Sequence, residues 1–254
     1  TEYQRAMQKT RAAKPAYDAY DEGRKALAEK KTDEALALAN KALSLFPQEA
    51  HFHALRGDIR LMADKHDMAI TNYNRAIERR DGFFYYHLQR GLAKRELDQI
   101  DGAVIDLERS IELLPTAPAH YALGGIAQQR GDLATAVNHY KVVAGAGGEY
   151  GEAATAEMVK LDLSTNPAAY VDRRCDPDAS GNLVVSVRNN TTVQIRDVQV
   201  VVQYADSVGR QQQRRLAISG QIPPGQIASV NTGLGPYAAG SNCPATVVAA
   251  QIAE

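Results

Sequence analysis

From residue 15 to about residue 163, small and aliphatic residues recur every three or four positions in stretches broken by short turns, which is the period of amphipathic helix. Beyond residue 166 that period gives way to alternation. Leu183, Val185 and Val187 fall on one face, and Val198, Val200 and Val202 stand against Gln199, Val201 and Gln203, the pattern of a half-buried antiparallel sheet. Turn signals at Gly181-Asn182, Asn189–Thr192, Ser207–Gly209 and Pro223–Gly225 divide this part into six or seven predicted strands, enough for a small β-sandwich. Between the two patterns, Ser164-Thr165-Asn166-Pro167 stops a helix, because proline disfavours helical geometry in the residue before it. The reading is α then β in two domains: a helical domain over 15–165 and an antiparallel β-sandwich over 166–254. Residues 1–14 are polar and basic, are read as a leader or linker, and leave Pro15 in the first turn of the next helix.

Within the helical part the pattern repeats. Gly23, Gly57, Gly91 and Gly124 are spaced by 34, 34 and 33 residues. Ala35, Ala69, Ala103 and Ala136 keep the same register, as do Ala39, Tyr73, Leu107 and Tyr140, then Ala42, Ala76, Ser110 and Val143, and finally Pro47, Asp81, Pro115 and Gly148. A glycine inside a helix costs about 1 kcal/mol against alanine, so four in register imply close approach of a neighbouring helix. This pattern resembles the tetratricopeptide repeat, and the resemblance implies an α-solenoid of about four helix pairs. The stripe Ala153, Ala156, Val159 and Leu163 is then expected to form a capping helix.

Stacked helix pairs of this family line a groove with the first helix of each repeat, and such grooves bind extended peptides or partner helices. The resemblance places Tyr17, Tyr20 and Arg24 of repeat one, His51, Asp58 and Met62 of repeat two, Phe83, Tyr85, Leu88, Leu92 and Arg95 of repeat three, and Tyr121 and Gln128 of repeat four at that groove. Phe83-Phe84-Tyr85-Tyr86-His87 is the densest run of large side chains. Successive helical residues point about 100° apart, so Phe84 and Tyr86 are expected in the core and Tyr85 at the groove. The Lys/Asn/Arg carboxylate clamp of some family members is absent, since the corresponding surface offers Tyr20, Arg24, Tyr85 and Gln89.

Charge adds little: 29 basic against 30 acidic residues give no reason to expect a nucleic-acid partner, and no apolar run is long enough for a membrane-spanning helix. All six histidines and every lysine precede residue 166. His51 and His53 point apart on a helix, no His-Glu-x-x-His, phosphate loop or Gly-x-Ser-x-Gly occurs, and the chain is expected to be non-catalytic, with no metal, cofactor or small-molecule substrate of its own. Cys175 and Cys243 are the only cysteines. Their placement at the two ends of one small domain suits a structural disulfide. That pairing implies an oxidising compartment, periplasmic or secreted, the other reading being two unconnected thiols. The Asn189–Thr192 triplets resemble glycosylation signals, but a turn explains them equally well.

The strand run from Gly181 to Tyr204 looks like the bacterial FxLYD-type sandwich, an immunoglobulin-like accessory module. The whole order of basic linker, repeats and sandwich resembles the non-catalytic C-terminal region of bacterial periplasmic zinc metalloproteases of the HtpX/Ste24 kind. That resemblance implies a region recruiting substrates or partners for a protease whose zinc-binding domain precedes it, and the non-Met start at Thr1 fits such a piece. The alternative is a stand-alone periplasmic or secreted scaffold for secretion, pilus or envelope assembly. A carbohydrate-binding sandwich, with only Tyr170, Tyr204 and Tyr237 available, is a third reading.

Overall fold

The computed structural model describes residues 2–205, 208–238 and 243–253, with side chains from residue 13 onward. Nine α-helices precede two antiparallel sheets among these residues. Contacts gather into two compact units, Thr1–Arg130 and Gly131–Glu254.

The first unit holds α1 (Glu2–Ala28), α2 (Thr32–Leu45), α3 (Ala50–Met62), α4 (His66–Arg79), α5 (Phe84–Glu96), α6 (Ile100–Leu113) and α7 (Ala117–Gln129). Three hairpins, α1/α2, α3/α4 and α5/α6, carry its strongest packing. The turn inside each hairpin repeats with the sequence period: Lys30, Asp64 and Asp98 adopt φ of 59°, 53° and 56°. The next amide in each case reaches back to close the helix end, Lys31 to Ala26, Lys65 to Arg60 and Gln99 to Lys94, at 2.9, 2.8 and 2.9 Å. This is a Schellman-type cap built on residues other than glycine. The repeat glycines are close-approach sites. A Cβ on Gly57 would lie 2.8 Å from the Tyr73 ring, and one on Gly91 3.0 Å from Leu107. The residues expected to form a linker are helical instead: α1 starts at Glu2 and runs through Pro15. Proline deprives a helix of one backbone hydrogen bond, and here the helix continues past it.

In the second unit α8 (Leu133–Ala144) packs against α9 (Gly148–Asp162), and the strands follow after a short 3-10 turn at Pro167–Ala169. The two helices of the fourth repeat therefore fall in different compact units, and α9 has a double role. It closes the helical series on α8 while Val159 and Leu163 enter the core of the sheets.

The first sheet is ordered β1 (Val171–Pro177), β2 (Leu183–Asn189), β5 (Ile227–Asn231); the second is β4 (Gln211–Ile218), β3 (Ile195–Ala205), β6 (Ala245–Ile252). Every pairing is antiparallel. Val185 and Val187 of one sheet and Val198, Val200 and Val202 of the other share a single buried cluster, so the alternation read along the chain is the inward face of a sandwich. Ser207 of the expected Ser207–Gly209 turn lies outside the described residues. Cys175 on β1 and Cys243 just before β6 lie at disulfide distance, their Cα atoms 5.6 Å apart, a separation that suits a disulfide and ties one sheet to the other. The Asn189–Thr192 segment is a turn in which Asn189 and Thr191 are buried and Asn190 and Thr192 exposed. The Asn189 side chain donates to the carbonyls of Val193 and Ile222 at 2.8 and 2.9 Å and accepts from the Thr191 amide and hydroxyl at 2.9 and 2.7 Å.

Candidate functional site

Three first helices of successive repeats, α1, α3 and α5, border a cavity of about 510 Å³. Helical spacing decides what enters it. On α3, His51, Ala54, Leu55, Asp58 and Met62 recur every three or four residues and line one wall. Tyr20 and Arg24 sit one turn apart on α1, with the guanidinium carbon 5.8 Å from the centre of the tyrosine ring, a cation–π distance. Phe83, Tyr85 and Tyr86, at the start of α5, form the third side. Met62 is 45 % exposed, so the apolar lining is open to a partner.

Asp58 is the chemical centre of this groove. Tyr73 on α4 and Tyr85 on α5 both donate their hydroxyls to its Oδ1, at 2.5 and 2.9 Å. Burial pushes the Asp58 carboxyl up to about 6, against the pull of the two hydroxyls and the nearby Arg24 charge. Burial likewise raises the Tyr73 and Tyr85 phenols, reinforced by the Asp58 charge, so both remain donors. Around His51 the partners settle the ring. Arg80 lies 3.2 Å from Nε2 and can only donate, which leaves Nδ1–H to donate to the Tyr86 hydroxyl at 2.7 Å. The groove thus offers apolar contact from Leu27, Leu55, Met62 and Phe83, a carboxylate that titrates near pH 6, and one guanidinium.

Seven of the thirteen groove residues expected from the sequence meet here: Tyr20, Arg24, His51, Asp58, Met62, Phe83 and Tyr85. Tyr17 lies beyond the cavity, its hydroxyl donating to Glu49 at 2.8 Å and its ring edge-on to Phe52 at 5.1 Å. Leu88 is a correction. It is buried with Ala103, Leu107, Ala119 and Ile126, and Leu92 packs against the same cluster. Leu88 stands about 60° around α5 from Tyr85, and its packing partners belong to α6 and α7. Arg95 pairs with Glu96 at 2.9 Å, and Tyr121 and Gln128, on α7, do not line the cavity. Tyr86 is buried, as expected of a core residue, yet contributes to the cavity wall; Phe84 is only partly buried.

Sequence reasoning missed two polar nodes. Tyr73 was legible as a bulky packing position, but not as a hydroxyl reaching through to Asp58. The second node is Asp106 on α6, almost wholly buried, which accepts two bonds from Arg90 at 2.8 and 2.5 Å and pairs with Lys94 at 2.8 Å. His87 Nδ1 lies 3.8 Å from the same carboxylate, an ion-pair distance, while its Nε2 contacts the Asp81 carbonyl at 2.9 Å. Burial pushes the Asp106 carboxyl up, but His87, Arg90 and Lys94 together hold it well below the usual range; Asp106 in turn is the main cause that raises His87. The i, i+16 spacing of Arg90 and Asp106, repeated at Arg56 and Asn72, was the available signal.

No protein-family model matches the chain, and no curated protein matches it. Among solved structures, the first tetratricopeptide domain of Spaghetti (RPAP3), bound to the HSP90 peptide SRMEEVD, is 24 % identical, with 47 % of this chain and 95 % of that one covered and a TM-score of 0.46. A MamA protein is similar at 21 % identity over 50 % and 70 % of the two chains, TM-score 0.47. The Arabidopsis OM64 domain is similar at 18 % identity over 46 % and 98 %, TM-score 0.46.

Proposed function

We propose that the helical unit is a non-catalytic protein-interaction module that captures an extended segment of a partner protein in the α1–α3–α5 groove. The observation that carries the reading is the composition of that groove: the exposed Met62 and the partly buried Tyr20, Leu27, Phe83 and Tyr85 around one carboxylate and one guanidinium. Aromatic and arginine side chains are the usual anchors of protein interfaces, and a fixed acceptor flanked by hydroxyls orients a partner's backbone or side-chain donors. The test is selection of a random peptide library on the intact chain. Met62→Arg inserts a charge into the apolar lining at an exposed position, so peptides selected on the wild type are expected to bind it at least tenfold more weakly, with helical circular dichroism unchanged. Equal binding would move the site off this groove.

Two further parts of the reading concern context. The periplasmic or secreted location is supported by the Cys175–Cys243 pair at disulfide distance, because cytosolic thiols stay reduced. Thiol titration of denatured, unreduced protein from an oxidising compartment is expected to find no free thiol; two would remove that support. The recruiting role beside an envelope zinc metalloprotease of the HtpX/Ste24 kind rests on the domain order, and the free-standing envelope scaffold is its alternative. Sequencing the reading frame around this segment separates the two.

A further inference from the structure

The Asp106 node has a counterpart one repeat earlier, and its counterpart lacks the acid. Shifting by 34 residues superposes Arg90 on Arg56, Lys94 on Arg60, Asp106 on Asn72, Asn74 on Asn40 and Arg109 on Arg75. The local geometry repeats as well. Arg90 donates to Asp106 through Nε and to Asn74 at 2.7 Å; Arg56 donates to Asn72 through Nε at 2.6 Å and to Asn40 at 3.3 Å.

What differs is charge. In repeat three the second carboxylate oxygen of Asp106 takes the Arg90 Nη2 group, and the same carboxylate holds Lys94. In repeat two the other end of Asn72 is an amide that donates to the Met68 carbonyl at 2.6 Å, so it has nothing to offer a cation. Arg56, Arg60 and Arg75 line one cavity of about 320 Å³ with Asn40, Met68, Thr71 and Asn72, and none of these lining residues is acidic. The Nε of Arg60 is shielded from solvent and has no hydrogen-bond partner. Burial, then the charges of Arg75 and Arg60, hold the Arg56 guanidinium below its usual value, the sign of cations crowded without a counterion. The chain as a whole is not basic, with a net charge of −1, so the cluster is local. Arg56 and Asp58 lie two residues apart on α3, some 200° around the helix, which separates this cavity from the peptide groove.

We infer that the cavity bordered by Arg56, Arg60 and Arg75 is a binding site for a phosphate-class oxyanion, which supplies the negative charge that Asp106 supplies in the next repeat. Guanidinium groups offer paired, coplanar donors that match phosphate oxygens. Asn40 adds an amide N–H at the rim, while the Thr71 hydroxyl is committed to the Asp67 carbonyl at 3.0 Å. The volume is more than a bare tetrahedral anion fills, so both inorganic phosphate and a phosphomonoester fit the chemistry.

Isothermal titration of the full chain with inorganic phosphate and with phosphoserine, at ionic strength held constant with chloride, tests this. Saturable binding is expected for the wild type, together with a higher Tm in phosphate than in chloride of equal ionic strength. Asn72→Asp builds in the counterion of repeat three; it is expected to weaken binding at least tenfold and to raise the Tm in phosphate-free buffer. Arg75→Gln changes an exposed side chain and keeps the test decisive if Asn72→Asp folds poorly. It is expected to weaken phosphate binding severalfold and, because it removes one of the crowded charges, to leave the phosphate-free Tm no lower than that of the wild type. Tighter binding of phosphoserine than of phosphate identifies the ligand as a monoester; equal or weaker binding identifies free phosphate. A Tm response no greater in phosphate than in chloride, or Arg75→Gln binding phosphate as the wild type does, overturns the assignment. Peptide capture in the groove plays no part in these readouts.

Discussion

Asp58 and Asp106 are two shielded carboxylates in the same stack of helices, and the structure treats them in opposite ways. Asp58 accepts from two phenols and titrates near pH 6; Asp106 accepts from Arg90, pairs with Lys94 and His87, and is held well below the usual carboxylate range. Burial raises both. The difference lies in the donors. A neutral hydroxyl lowers the cost of ionising a shielded acid only in part, whereas a guanidinium and an ammonium supply full countercharge. One repeat has thereby built a structural ion cluster from a buried acid, and its neighbour has kept an acid whose charge can still change at the edge of a groove.

The sharpest way to break the comparison is to remove the acid from the cluster. Asp106→Ala leaves Arg90 and Lys94, whose side chains are 17 % and 20 % exposed, without a counterion. Removing one partner of a buried pair costs about 3 to 5 kcal/mol, and a loss of that size is expected in urea unfolding. Asp106→Asn is expected to cost less, because Asn72 occupies the same register position and still accepts from Arg56. Equal losses for the two variants would mean that the charge matters less here than the hydrogen bond.

Much of this was legible in the sequence, for reasons specific to each part. The period of 34 residues placed Tyr20, Asp58, Met62 and Tyr85 on first helices of their repeats, because a helix dictates its own face. The valine alternation of β2 and β3 located the sandwich core, because only one face of each sheet is buried. Four features were hidden. Leu88 has the chemistry of a groove residue and is turned inward by helix phase. Tyr73 reads as apolar bulk, yet its hydroxyl is what Asp58 uses. The helix start at Glu2 was obscured by Pro15, which the backbone accommodates inside α1. Asp106 was hardest, since an acid on a helix reads as solvated until its partners sixteen and twelve residues earlier are brought to it in space.

Asp58 ordinarily titrates at 3.8 and is raised to about 6 in the folded chain. Between those values the folded state holds a proton that the unfolded state has lost, so stability falls as pH rises through that window. Above pH 6 the carboxylate remains a net cost on the order of 2 to 3 kcal/mol. Asp58→Asn has no such proton to lose. Its stability relative to the wild type is expected to rise by about that amount between pH 4 and pH 7, read from urea midpoints at the two values. Other titrating groups are common to both proteins and cancel in the difference. Parallel curves would place the Asp58 titration near its ordinary value and erase the contrast with Asp106.

The smallest effect separates the two phenols. Tyr85→Phe removes the longer of the two bonds to Asp58 and leaves Tyr73 in place at 2.5 Å. Because a donated hydrogen bond favours the ionised form, its loss is expected to raise the Asp58 pKa further, by a fraction of a unit, with a stability change of about 1 kcal/mol at neutral pH. NMR titration of the Asp58 carboxyl carbon reads the first and urea unfolding the second. A fall in the pKa would mean that Tyr85 supports the neutral acid rather than the carboxylate. The proton on Asp58 would then be the donor in that contact, and Tyr85 would present a partner with a free hydroxyl donor in place of a phenol already committed to the acid.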